Sequence, residues 1–182
     1  MHMGHEERVV LVDDDGQPIG TALKNEVHHD TTPLHLAFSC HVFDDNGRML
    51  MTRRALTKKT WPGVWTNSFC GHPGPDEPME EAIRRRAQQE LGLELTDITP
   101  LLPDFRYSAV DASGTVENEI CPVYTARATS AVRPDATEVA EFVWADPKDL
   151  RTAVRAAPFA FSPWFEQQLD EIATGEKTPW AA

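Results

Sequence analysis

Apolar residues in this chain fall into short runs closed by turn residues, with one stretch of helical spacing among them. Val9 to Val12 is an unbroken apolar run that stops at Asp13-Asp14-Asp15-Gly16, which predicts a strand followed by a turn. Leu34 to Phe43 is a second run. Asp45-Asn46-Gly47 then reverses the chain into Arg48 to Thr52, a hairpin signal. Ala55 to Pro78 is rich in Pro and Gly and reads as a long structured loop with a short strand near Trp65 to Ser68; a loop of that length in a compact fold is usually functional. From Met79 to Leu91 the spacing of Met79, Ala82, Ile83, Arg86, Ala87 and Glu90 is helical, and Gly92 stops it.

Phe105 to Val110 and Val116 to Arg127 read as two strands joined through Asp111 to Gly114, and Val139 to Trp144 as another. Asp146-Pro147 and Ser162-Pro163 are helix starts, the second for a helix reaching about Ala173. The lead Met1 to Glu6 reads as disordered or appended in cloning, and the tail 175–182 as frayed. Mixed strands with few helices predict an α/β or α+β sandwich, not a doubly wound sheet. A chain of 182 residues suits one domain.

Composition narrows the function classes. With 41% hydrophobic and 25% charged residues the chain reads as globular, and no apolar run is long enough for a membrane helix. Three cysteines, Cys40, Cys70 and Cys121, do not make a disulfide framework, so a reducing cytoplasm is expected. A net charge of −12 argues against nucleic acid and anionic membranes as partners. A small anionic substrate stays open, because local cations and a metal reverse the field inside one pocket. A monomer is expected.

Candidate chemistry gathers at particular spacings. Glu117 and Glu119 lie two apart on a predicted strand and so share a face. Cys70 and His72 are also two apart, just before the helix. His28 and His35 bracket Pro33. Three imidazoles and two carboxylates suit Mn²⁺, Zn²⁺ or Fe²⁺. Each residue also has a plainer reading: a lone His is usually solvated or satisfied in the core, as expected of His2, His5 and His41, and two Glu on one strand are usually its wet face. A buried Cys is usually inert, the reading given to Cys40 and Cys121. Spacing alone does not choose between His28 and His29.

From Gly71 the sequence G-H-P-G-P-D-E-P-M-E-E-A-I-R-R-R-A-Q-Q-E-L-G-L resembles the Nudix box, a loop–helix–loop that binds divalent metal at a diphosphate, through Gly71, Glu77, Arg85, Glu90, Gly92 and Leu93. Two of the box's usual acids are replaced, by Arg86 and Gln89. Four further stretches resemble type I isopentenyl-diphosphate isomerases: Arg53 to Pro73, Asp104 to Tyr107, Gly114 to Val123 and Ala160 to Trp164. The resemblance spans about Val9 to Trp164 and implies a Nudix-type mixed sheet sandwich flanked by helices.

It also implies roles. His28, His35, His72, Glu117 and Glu119 match the ligands of one Mn²⁺ (or Zn²⁺ or Mg²⁺), and Glu90 a Mg²⁺ bridging to the substrate diphosphate. Cys70 and Glu119 match the acid–base pair on opposite faces of the alkene, Tyr107 a hydrogen-bond partner of Glu119, and Trp164 an aromatic face for a carbocation. Lys24, Arg54, Lys58 and Arg86 match substrate-contacting positions. Two other readings remain: a Nudix diphosphate hydrolase, against which the thinned acidic cluster speaks, and a non-catalytic metal-binding module on a decayed Nudix fold.

Overall fold

The computed structural model describes residues 7–175; the expectations for the lead 1–6 and for the tail beyond Gly175 lie outside them. The strands are β1 (Arg8–Val12), β2 (Pro18–Leu23), β3 (His35–Leu36), β4 (Phe38–Phe43), β5 (Met49–Arg54), β6 (Trp65–Thr66), β7 (Phe69–Gly71), β8 (Leu95–Leu102), β9 (Arg106–Val110), β10 (Val116–Ile120), β11 (Val123–Ala128) and β12 (Val139–Ala145). The helices are α1 (Met79–Leu91), α2 (Pro147–Ala156) and α3 (Pro163–Thr174), with a 3-10 turn at Pro158–Ala160.

One sheet runs β2-β1-β3-β10-β9 and the other β12-β5-β4-β11-β8, with β6 added against β5 and β7 against β4. The two sheets share two chain segments. β3 passes into β4 at Ala37, and β10 passes into β11 at Cys121-Pro122; the two segments lie parallel in both sheets. The segment expected as one strand from Val116 to Arg127 is therefore two. Pro122 lacks a donor for a continuous ladder, and the chain changes sheet there. Ala37 and Ser39 amides donate to the Ile120 and Pro122 carbonyls, so the crossing keeps its hydrogen bonds.

Three strands escaped the sequence reading: the short β7, inside the expected loop, and β2 and β8. β2 and β8 are sheet edges. β2 contains Pro18 and Gly20 and is exposed over most of its length, so it shows no apolar alternation. β8 contains Pro100, and Asp97 has φ of 54° beside a register shift against β11. Proline and a bulge are features of edge strands, and they hide the strand pattern.

Helix α1 follows the predicted boundaries. Its apolar face (Ala82, Ile83, Ala87, Leu91) is buried against Phe38, Leu50 and Phe69. Gly92, at φ 58°, lets its own amide reach Gln88 and that of Leu93 reach Ala87, a Schellman stop. In α2 the Asp146 side chain accepts from the Lys148 amide, an N-cap worth about 1 kcal/mol. In α3 the Ser162 hydroxyl is instead hydrogen-bonded to that of Thr66, which ties the helix start to β6.

Candidate active site

A cavity of about 220 Å³ opens between the sheet crossing, the loop after β5 and the start of α1. One wall comes from β10. Glu117 and Glu119 share its inner face and are nearly buried, at 8% and 4% exposure. His35 opens β3 opposite Glu119 in the parallel register. His72 arrives from the turn after β7, and His28 from the loop before β3. That loop is pinned to β10 by the Val116 amide donating to the His29 carbonyl and the Asn118 amide group donating to the Thr32 carbonyl.

Nitrogens of His28, His35 and His72 and an oxygen of Glu119 lie within 4.8 Å of one another. Glu119 Oε1 is 3.0 Å from His72 Nε2 and 3.3 Å from His35 Nε2. Glu117 stands beside this group: one oxygen is 2.9 Å from His28 Nε2 and the other accepts from the Thr60 hydroxyl at 3.0 Å. His29 points away, half exposed, and contacts Thr31.

The chemistry of these atoms fits a divalent cation. His35 Nδ1 is 2.9 Å from the Pro33 carbonyl, which only accepts, so Nδ1 carries the hydrogen and Nε2 presents its lone pair to the cluster. The buried Nε2 atoms of His28 and His35 and Oε2 of Glu117 meet one another or Glu119 as ion-pair contacts but make no well-aligned hydrogen bond among the described residues. Buried polar atoms left unpaired are costly, and a cation at their centre would satisfy them together. Burial pushes the Glu119 carboxyl up, but the His35 and His72 contacts outweigh it and hold it well below the carboxylate range. Burial drives His72 down to about 4, against the pull of Glu119.

Cys70, on β7, lines the same cavity. Its Sγ lies 3.2 Å from Ser39 Oγ and 3.5 Å from Asn67 Oδ1. Burial raises the thiol to about 11, opposed by those two hydrogen bonds. Tyr107 stands opposite Glu119 in the β9–β10 register, but the expected hydrogen bond from its hydroxyl to Glu119 is not formed among the described residues; its ring lies 5.8 Å from that of Trp164. Trp164 is also met edge-on by Trp61, and the Arg54 guanidinium sits 5.4 Å over its ring. Arg54 further donates to the Thr60 and Trp61 carbonyls, bracing a loop in which Trp61 takes a φ of 42°.

At the far end the cavity is cationic. Lys24, Lys58, Arg54 and Arg86 line it together with Glu90. Burial lowers the Lys24 amine and the charge of Arg86 lowers it further, against the pull of Glu7, with which Lys24 is ion-paired at 2.5 Å. Arg86 is 8% exposed and pairs with Glu90 one turn along α1. Burial raises the Glu90 carboxyl in spite of that pairing. Other residues of the box, in and just before α1, act as a brace. Arg85 forks onto Glu77 at 2.7 and 2.9 Å and also donates to the His72 carbonyl, while Glu77 accepts from the Gly74 amide. Gly71 allows the close approach: a Cβ there would stand 2.7 Å from the Phe38 ring and 2.9 Å from Arg86 Cγ.

With this geometry in view, the comparisons are specific. Residues 33–165 match the NUDIX domain. A Kocuria rhizophila protein named isopentenyl-diphosphate Delta-isomerase is 60% identical over 170 residues, covering 93% of this chain and 94% of its own. An Agromyces mediolanus protein of the same name is 65% identical over 162 residues, covering 89% of this chain and 79% of its own. The chain belongs to the isopentenyl-diphosphate Delta-isomerase family. Among solved structures, a Deinococcus radiodurans protein superposes with a TM-score of 0.71 at 22% identity, covering 91% of this chain and 99% of its own. A Burkholderia pseudomallei MutT NUDIX hydrolase does so at 0.59 and 22%, covering 76% and 98%. At those identities the likeness is one of fold.

Three residues of this isomerase-family site were not singled out in the sequence. Glu138, just before β12, contacts Lys58 and lies 3.2 Å from Arg86, adding a second carboxylate at the cationic end. Thr60 holds Glu117, and Asn67 joins Cys70 to Trp164, whose Nε1 donates to Asn67 Oδ1 at 3.1 Å. None carries a local signal, since each acts through partners distant in sequence. Glu138 looks like one more acid in an acidic chain.

Proposed function

We propose that this enzyme interconverts isopentenyl diphosphate and dimethylallyl diphosphate, within isoprenoid biosynthesis. The observation that carries the reading is one cavity holding a thiol, a His/Glu cluster with imperfectly paired inward atoms and a cationic end. The names of relatives at 60% and 65% identity point the same way. The diphosphate goes to Lys24, Lys58, Arg54 and Arg86; Arg suits bidentate phosphate contact and Lys supplies a point charge. The five-carbon chain then reaches between Cys70 and Glu119.

The forward direction starts with one proton moved from the Cys70 sulfur to Glu119, relative to the forms their surroundings favour; Glu119 gives that proton to the terminal methylene, and the neighbouring carbon becomes a tertiary cation. Cys70 takes a proton from C2 and the double bond re-forms there. The reverse reaction exchanges the two roles. Trp164, Tyr107 and Trp61 form an aromatic surround that keeps water from the cation, with a cation–π contribution of about 2 kcal/mol when desolvated.

We assign His28, His35, His72, Glu117 and Glu119 to a Mn²⁺, with Zn²⁺ or Mg²⁺ as substitutes, and Glu90 to a Mg²⁺ shared with the diphosphate. A bound divalent ion supplies positive charge that tunes the acidity of Glu119 and neutralises phosphate oxygens. Glu138, beside Lys58 and Arg86, would supply a second carboxylate for the Mg²⁺ at Glu90. The hydrolase alternative is disfavoured because α1 carries Arg86 and Gln89 where an acidic cluster would gather metals. Three free thiols support a reducing cytoplasm, and we assign a single-domain monomer.

Proton NMR of the protein with isopentenyl diphosphate, Mg²⁺ and Mn²⁺ in heavy water tests the function. Dimethylallyl diphosphate carrying deuterium is the expected product. An unchanged substrate spectrum from folded, metal-loaded protein refutes the reading.

A further inference from the structure

Behind Cys70, on the side away from the cavity, a line of polar side chains runs into the core. Ser39, His41 and Gln168 are each 0% exposed. Ser39 and His41 stand two apart on β4, so they share a face, and Gln168 comes across from α3. His41 Nε2 is 2.8 Å from Gln168 Oε1, Gln168 Nε2 donates to Ser39 Oγ at 2.9 Å, and Ser39 Oγ lies 3.2 Å from Cys70 Sγ. None of the three belongs to the α1 motif, and none lines the cavity. Burying such groups is expensive unless each is paired, and three apolar side chains would fill the space at less cost. The connection to Cys70 gives the line a purpose.

The direction of each hydrogen bond follows from what each group can do. Gln168 Oε1 only accepts, so His41 Nε2 carries a hydrogen and donates. This suits a neutral imidazole, and burial holds His41 down at about 4. Gln168 Nε2 only donates, so Ser39 Oγ accepts from it. The single hydroxyl hydrogen of Ser39 must then go outward to sulfur. Two sulfurs are in range, Cys70 at 3.2 Å and Cys121 at 3.5 Å, and Cys70 is the nearer. On the other side of Cys70, Asn67 Oδ1 is fixed as an acceptor by the Trp164 and Thr66 donors, while its amide hydrogens go to the Cys40 and Phe69 carbonyls. Cys70 Sγ is thus held between one donor and one acceptor.

We propose that Ser39 is a positioning residue for Cys70, its hydroxyl turned outward by Gln168 and His41 so that it donates to Sγ and aims the sulfur at the bound alkene. A hydrogen bond to a sulfur that gains and loses a proton strengthens when the sulfur is negative. It therefore acts on the proton-transfer step and not on diphosphate binding.

Two variants test this. Ser39→Ala removes the donor. Gln168→Glu is nearly isosteric but offers only acceptors, so it turns the Ser39 hydrogen inward and away from Cys70. Each is expected to lower kcat about ten- to hundredfold with KM unchanged, and to slow alkylation of Cys70 by iodoacetamide about tenfold, read by mass spectrometry of its peptide. The buried Cys40 and Cys121 serve as unreactive references. The kinetic arm rests on the isomerase reading, whereas the alkylation arm reads the thiol whatever the enzyme's substrate. Unchanged alkylation in folded Ser39→Ala overturns the proposal, as does a loss of activity carried by KM alone. A Gln168→Glu protein with wild-type kcat and alkylation also overturns it, because Ser39 would then already donate to Gln168.

Discussion

The two walls of the cavity are built on opposite principles. Around Cys70 every polar neighbour has a partner of the right kind: Ser39 is supplied by Gln168, and Asn67 is filled by Trp164 and Thr66. Around Glu119 the atoms converge and pair imperfectly: His72 meets Glu119 at 3.0 Å, but His28 Nε2, His35 Nε2 and Glu117 Oε2 are buried in ion-pair contacts without a well-aligned hydrogen bond. The first wall is complete as protein. The second gathers His and Glu atoms that could hold a metal ion. A satisfied network fixes direction, while an unsatisfied one with converging lone pairs stores affinity for a cation.

The largest effects should come from removing the reacting group on either wall. Glu119→Gln and Cys70→Ala are each expected to lower kcat about a thousandfold or more, with diphosphate binding retained in a competition assay. A variant close to wild-type rate removes that residue from the acid–base pair. Chelation should then separate the walls. With metal removal verified, activity should vanish and the midpoint of thermal unfolding should fall by about 5–10 °C, from a lost linkage of about 3 kcal/mol. An unchanged midpoint would mean that the imidazole wall is not completed by a cation.

The smallest effect concerns the line behind the thiol wall. Burial lowers the folded pKa of His41 from 6.5 to about 4. Between those values the unfolded chain binds the proton and the folded chain does not. The stability His41 contributes is therefore fully present above 6.5 and is lost as pH falls towards 4, by about 3 kcal/mol at most. Urea titrations of chelated protein from pH 7 to 4 should show this slope, and His41→Gln should flatten it. A slope equal in both proteins would assign acid sensitivity to other groups.

Legibility from sequence differs in the same way between the walls. Glu117 with Glu119 and Cys70 with His72 were visible as pairs at strand period, which share a face, but their choice as ligands and acid–base groups, and that of His28 over His29, came from the family resemblance. α1 was legible to its ends, since Gly92 and the apolar spacing are local. Ser39, Gln168 and Asn67 were silent. They are ordinary polar residues whose role arises only when β4, α3 and the loop before β7 meet. His41 was expected to be solvated or satisfied and not a ligand; it is buried and hydrogen-bonded to Gln168, but the sequence held no hint of what it leads to. β2 and β8 were lost because edge strands tolerate Pro, Gly and bulges. The break at Pro122 was missed because its compensation lies on Ala37 and Ser39, far away in the chain.

The paired crossing of β3 into β4 and β10 into β11 bears on the order of assembly. Ser39 and Cys121 touch there although 82 residues separate them. Closing so long a loop costs conformational entropy before any contact offsets it, so such pairings tend to form late and slowly. Both walls hang from that crossing, which makes the site a late product of folding. Substitutions at Ser39 or Glu119 should therefore alter the rate of unfolding more than that of folding. A nascent or partly folded chain would hold its thiol and its metal ligands apart.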